Sequence, residues 1–238
     1  MPDKRKHRGA HPEDGVLFGP EARPVLVEAV AHLSWLLGHA YALPSALKLV
    51  GDRFQLARRQ RIAVQRCACS DAALAARRAR EVGPEALARG AVHIDGYNLL
   101  TTVEAALAGG VILSGRDGGY RDLASMHGTY RRVEETRPAI AAVGEVLADL
   151  GADGVMWYLD RPVSNSGRLK ALLLEQGSER GWAWQADLVL NPDRLLSEVE
   201  GVVVTADSVI LDRCRRWFNL ARAVIAARVP HATVLELG

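Results

Sequence analysis

Four short apolar runs in this 238-residue chain end in, or lead directly to, an aspartate. "AVHID" reaches Asp95, "GVMWYLD" reaches Asp160, "ADLVLNPD" reaches Asp193 after a two-residue turn, and "GVVVTAD" reaches Asp207. Asp212 follows five residues after the last. A single aspartate after a strand often only shapes a turn or caps a helix. Four at one sheet edge would repel one another unless a cation held them. Carboxylates with no histidine or cysteine among them suit hard cations such as Mg2+ or Mn2+. Such ions activate water and steady charge on a phosphoryl group. Asn98 is a candidate neutral oxygen ligand or an orienting donor, and Glu104 is a further carboxylate with a solvated helix position as its alternative.

Anion contacts are expected beside Asp160. In "RPVSNSGRLK", Ser164, Asn165 and Ser166 lead into a helix whose free amides favour phosphate, with Arg168 and Lys170 nearby; an ordinary helix cap is the alternative. "SGRDGGYRDLASMHGTYRR" adds Arg116, Arg121, Arg131 and Arg132, alternatively a solvated helix face. Arg53, Arg58, Arg59, Arg61 and Arg66 crowd "GDRFQLARRQRIAVQRC". Arginine suits bidentate phosphate contacts, so these could grip a nucleic acid, or they could pair with acids elsewhere in the chain.

Positioning these groups requires strands that share one carboxyl edge. Apolar runs at 91–94, 111–113, 154–159, 182–190, 202–205 and 233–236 alternate with helical patterns, among them "TVEAALAG", "YRDLASMHGTYRRV", "RPAIAAVGEVLADLG", "SGRLKALLLEQGSERG", "PDRLLSEV" and "DRCRRWFNLARAVIAARV". This alternation predicts an α/β layer with a mostly parallel sheet. In such sheets ligands sit beyond the carboxyl ends, where strand order reverses. Residues before 89 read as helical throughout, with Gly51 as a break between two helices, Ser70 or Asp71 as a cap and Gly83-Pro84 as a stop. The expected division is a helical basic domain at 1–88 and an α/β domain at 89–238.

Composition supports a soluble globular class: 49% hydrophobic, 24% charged and a net charge of +2. That small charge hides 15 Lys/Arg against 9 Asp/Glu before residue 91 and 15 against 19 after it. A basic front would meet a polyanion and an acidic rear would gather cations. Three cysteines give neither a disulfide framework nor a zinc site. With no signal sequence and no uninterrupted apolar span, a cytoplasmic location and no membrane partner are expected. The G-x-x-x-x-G-K-[ST], H-E-x-x-H, G-x-S-x-G and C-x-x-C motifs are absent, as is the D-x-D of aspartyl-phosphate enzymes.

"IDGYNLL", "WYLD", "PDRLLSEV" and "VVVTAD" stand in the order found in NYN nucleases, the YacP-like branch of the PIN-domain superfamily. "RDLASMHGTY" resembles the Arg/Leu-rich helix that follows the first motif there. The likeness covers residues 91 to 238, and "GGVILSGRDGG" and "PVSNSGR" depart from the usual pattern. The whole chain also resembles an uncharacterised prokaryotic family that joins a helical domain to a PIN-like region. The PIN resemblance implies a three-layer fold and a metal-dependent endoribonuclease with Asp95, Asp160, Asp193 and Asp207 at its acidic positions. Asp212 and Asn98 would complete the cation set. RNA is the expected partner, with a homodimer as an open option for assembly. A non-catalytic RNA-binding module on the same fold is the alternative.

Overall fold

The computed structural model describes residues 7, 8, 10–124 and 130–238. Helices α1 (Asp14–Leu17), α2 (Ala22–Gly38), α3 (Leu43–Arg53), α4 (Arg58–Cys67) and α5 (Asp71–Arg80) come first, and a 3-10 turn at Pro84–Arg89 leads out of them. Strand β1 (Val92–Asp95) runs straight into α6 (Gly96–Leu107). The remaining elements are β2 (Ile112–Ser114), β3 (Tyr120–Arg121), α7 (Thr136–Asp149), β4 (Val155–Asp160), α8 (Ser166–Arg180), β5 (Trp184–Val189), α9 (Pro192–Glu198), β6 (Val202–Val204), α10 (Ser208–Leu211), α11 (Leu220–Arg228) and β7 (Val234–Glu236).

Four strands form a wholly parallel sheet in the order β5-β4-β1-β6. Because every strand points the same way, all carboxyl ends lie on one edge. The chain steps from β1 to β4 on one side and later returns to place β6 on the other, so strand order reverses at β1. Fully buried Val92, Ile94, Trp157 and Leu159 face the helices α6, α7 and α8. Alternation along each strand sends the other side chains to the opposite face, where Tyr158 and Val203 meet Leu196, Leu211 and Trp217.

A second sheet, β3-β2-β7, pairs β2 with β7 in parallel and with β3 in antiparallel. Leu113 and Leu235 of this sheet, with the adjoining Val111 and Leu237, close the core of the helical segment by packing with Leu26, Leu33, Val50 and Val64. The boundary at residue 88 therefore marks a change of secondary structure, while one core runs across it.

Three sequence expectations are corrected. Gly51 lies inside α3 and does not break it. The guanidinium of Arg61 occupies the space a Cβ would need there, 2.3 Å from its ideal position, and the chain turns instead at Gln55 with φ +50°. The helix expected from Asp212 starts only at Leu220, because Trp217 is drawn into bridges with Glu81 and Val203 and donates its indole N–H to Arg77 O at 2.8 Å. The stretch expected as a helix from Tyr120 begins instead as strand β3, and residues 122–124 and 130–133 are not helical. Its centre, 125–129, lies outside the described residues. All three cysteines are free and buried, and burial pushes the Cys67 thiol up to about 12, so it stays protonated and inert. No helix among the described residues is long and apolar enough to cross a membrane.

Candidate functional site

A cleft of about 670 Å3 opens at the carboxyl edge of the parallel sheet. Asp95, Asp160, Asp193 and Asp207 all line it, together with Asn98, Tyr97 and Asp212. The opposite wall comes from the helical segment, through Leu37, Leu43, Arg66, Ser70, Ala73 and Arg77.

Each aspartate is placed by local rules. Asp95 ends β1 and caps α6, its Oδ1 accepting the Asn98 amide at 3.4 Å. Its Oδ2 accepts the Thr205 hydroxyl at 2.9 Å, which ties β1 to the loop after β6. The Thr205 hydroxyl oxygen in turn accepts the Asp207 N–H at 3.0 Å. Asn98 accepts the Ala206 N–H at 2.8 Å through its side-chain oxygen. The oxygen expected to serve as a ligand is thus turned to the loop, and Asn98 orients the turn that carries Asp207. Asp207 caps α10, accepting Val209 N–H at 2.7 Å. Asp160 closes β4 and Asp193 lies in the first turn of α9.

Burial and neighbouring carboxylates act on three of these groups, Asp95, Asp160 and Asp193. Burial pushes Asp95 up to about 7, and the neighbouring Asp207 and Asp193 carboxylates push it the same way. Thr205 and the Asn98 amide pull it back only in part. Asp160 is raised by burial and by Asp193, and Asp193 by burial and by Asp207. Mutual repulsion of this kind is relieved by a proton or a cation. Among the described residues, no group of three or more His, Cys, Asp or Glu has side chains close enough together to hold a metal ion. The carboxylates share the cleft without closing on a common point.

The remaining expected residues divide. Asp212 sits on the rim with its Oδ1 2.7 Å from Arg77 Nε, so an arginine neutralises it. Arg121 lines the cleft but is buried and engaged within the protein, with both terminal nitrogens on Asp117 at 2.8 and 2.7 Å and Nε donating to Ala206 O at 2.8 Å. Arg59 forms an internal pair with Asp14, at 2.5 and 2.9 Å. Arg61 donates to Asp52 and to Leu56 O. Arg58 is exposed. Ser164, Asn165, Ser166 and Arg168 do not line the cleft. Asn165 holds a left-handed conformation, φ +70°, and donates from its side-chain amide to Tyr130 O at 3.0 Å. Glu104 is neither solvated nor in the cleft. It is fully buried, 2.5 Å from Arg8 Nε, and accepts the hydroxyls of Tyr130 and Thr136.

Sequence reading did not single out Asp117, Asp122 or Arg77. Asp122 accepts the hydroxyls of Thr101 and Thr102 at 3.1 and 3.2 Å on the cleft wall. Asp117 lies between Arg77 and Arg121. The one sequence signal for Asp117 was its setting, "GRDGG", where the bare backbones of Gly115 and Gly119 leave room for the Arg121 guanidinium.

Residues 25–80 match the family described as "Protein of unknown function (DUF434)". The "Uncharacterized protein MJ0935" of Methanocaldococcus jannaschii is 29% identical over 184 residues, covering 77% of this chain and 88% of that protein. No solved structure matches the chain. Residues 84–223 match "Domain of unknown function (DUF5616)", a span that holds the parallel sheet with Asp95, Asp160, Asp193 and Asp207, and the chain belongs to that family.

Proposed function

We propose that the chain is a divalent-metal-dependent endoribonuclease on a PIN-like fold, with Asp95, Asp160, Asp193 and Asp207 as its carboxylates. One observation carries this reading: an aspartate at or after each of the four parallel strands lines a single cleft, and the carboxyls of Asp95, Asp160 and Asp193 are raised by burial and then by acidic neighbours in that cleft. In donor chemistry the set suits Mg2+ or Mn2+, since it is all carboxylate oxygen and carries repulsion that a cation would relieve; binding would require the side chains to draw closer than they stand here. Such an ion, when bound, activates water and neutralises charge on a phosphodiester. The chain's own residues do the positioning. Thr205 and the Asn98 amide fix the plane of Asp95, and Asn98 with Thr205 holds the turn that carries Asp207. Exposed Arg58, Arg131 and Arg132 supply positive surface for the RNA backbone. A cytoplasmic location belongs to the same reading.

The test is cleavage of a labelled RNA with and without Mn2+. Asp95→Asn and Asp207→Asn should each lose at least about a hundredfold in rate, with an unchanged far-ultraviolet spectrum. Full activity in both variants would end the proposal. RNA binding without cleavage, and without carboxylate-dependent uptake of Mn2+, would instead identify a non-catalytic RNA-binding module.

A further inference from the structure

We infer that Arg77 and Arg121, joined through Asp117, form a clamp that positions the turn Thr205–Asp212, making the helical segment a structural part of the carboxylate site. Arg77 belongs to α5, Asp117 lies in the turn before β3, and Arg121 ends that strand. The Asp117 carboxylate meets Arg77 Nη1 at 2.6 Å and Arg121 Nη2 at 2.7 Å, and all three side chains are almost fully buried. From this centre two arms reach the turn. Arg121 Nε donates to Ala206 O at 2.8 Å, and Arg77 Nε reaches Asp212 Oδ1 at 2.7 Å. Arg77 Nη2 lies 3.5 Å from Ser208 O. A neighbouring arginine of α5, Arg80, also donates to Leu211 O and Asp212 O, at 3.2 and 2.9 Å.

The clamp holds the turn from one side while Asn98 and Asp95 hold it from the other. Ala206 is gripped at its N–H by Asn98 and at its carbonyl by Arg121, and Asp207 is the next residue. Guanidinium suits this work because it is planar, permanently charged and offers five donors in fixed directions, whereas lysine offers a single point charge. Both family matches contribute, Arg77 from 25–80 and Asp117, Arg121 and Asp212 from 84–223. Arg77 and Arg121 are positioning residues: both stand in the cleft wall, almost fully buried, and act on Asp207 through the backbone of the turn. Asp212, in turn, serves as an anchor for Arg77 and not as a cation ligand.

The metal arm of the test rests on the nuclease reading, and the exchange arm does not. Arg77→Lys and Arg121→Lys keep the charge beside Asp117 but lose the second arm. In full-length protein, hydrogen exchange of amides 206–211 should quicken at least about tenfold, with those of β1 and β4 unchanged. The Kd for Mn2+ should rise about tenfold, and kcat for RNA cleavage should fall while KM holds. Asp212→Asn, changed at its exposed end, folds even if the buried variants do not. It should quicken the same amides about threefold and leave the Kd for Mn2+ within twofold. Unchanged exchange at 206–211 in the folded variants would overturn the clamp. So would loss of Mn2+ uptake in Asp212→Asn. If wild-type protein takes up no Mn2+, the nuclease reading falls and the exchange measurement still decides the clamp.

Discussion

At the scale of single residues, Asp95 carries the sharpest consequence. Its carboxyl is raised from 3.8 to about 7 by burial and by its acidic neighbours. The folded state therefore keeps a proton that the unfolded chain releases, and stability falls as pH rises from about 4 to about 7. Full conversion of that shift would give about 4 kcal/mol, but part of the side chain opens to the cleft and is screened. Asp95→Asn, which keeps its oxygen for the Asn98 backbone N–H and turns its NH2 to the Thr205 hydroxyl oxygen, should stabilise the metal-free protein at pH 8 by about 2 kcal/mol, or roughly 5 °C in Tm. The gain should vanish below about pH 4, and thermal melts in chelator across this range check it. Asp14 behaves oppositely. Although burial pushes it up, its hydrogen bonds to Arg59 hold it below the usual carboxylate range. That contribution is present at neutral pH and is lost as pH falls through the lowered value. Arg59→Ala should accordingly lower Tm and leave RNA affinity unchanged, whereas Arg58→Ala should weaken RNA binding without cost to stability. Equilibrium binding and melts on both variants separate the two roles.

At the scale of elements, the strands were the most legible part of the sequence. All six apolar runs became strands, because short Val/Ile/Leu runs between helical patterns have few other places to be buried. The extra strand β3 is two residues long and carries a charged side chain, so pattern reading had nothing to find. The positions of Asp95, Asp160, Asp193 and Asp207 followed from strand ends, which is why they could be named without coordinates. The arginines could not be sorted in the same way. Arg59, Arg61, Arg66 and Arg121 look alike in sequence, and their pairing depends on which acid the fold brings opposite. Helix packing offers a clear test in α7. A Cβ at Gly144 would lie 2.0 Å from the Trp182 ring, whose own position is set by stacking on Trp184 at 4.8 Å. Gly144→Ala should therefore cost about 2–3 kcal/mol, read by denaturant titration.

At the scale of the whole molecule, the two segments expected from composition share more than a linker. The basic front was expected to offer its charge to RNA, yet much of that charge is spent inside the protein: Arg66 on the Asp122 and Ala124 carbonyls, Arg77 on Asp117 and Asp212, Arg8 on Glu104. No charge count could have shown this, since pairing across the boundary depends on tertiary structure. Leu235→Ala, a change in the last strand, should destabilise by about 2–4 kcal/mol. Heat should then melt helices and sheet in a single transition, followed by circular dichroism and tryptophan fluorescence together. Two separate transitions would show that the segments fold independently.

The helices reach the solvent first as the chain is synthesised, but the strand that seals their interior, residues 234–236, emerges far later. The early-made front must wait with Leu26, Leu33 and Val64 uncovered, so a nascent chain arrested before β7 should be a better client for chaperones than the finished protein.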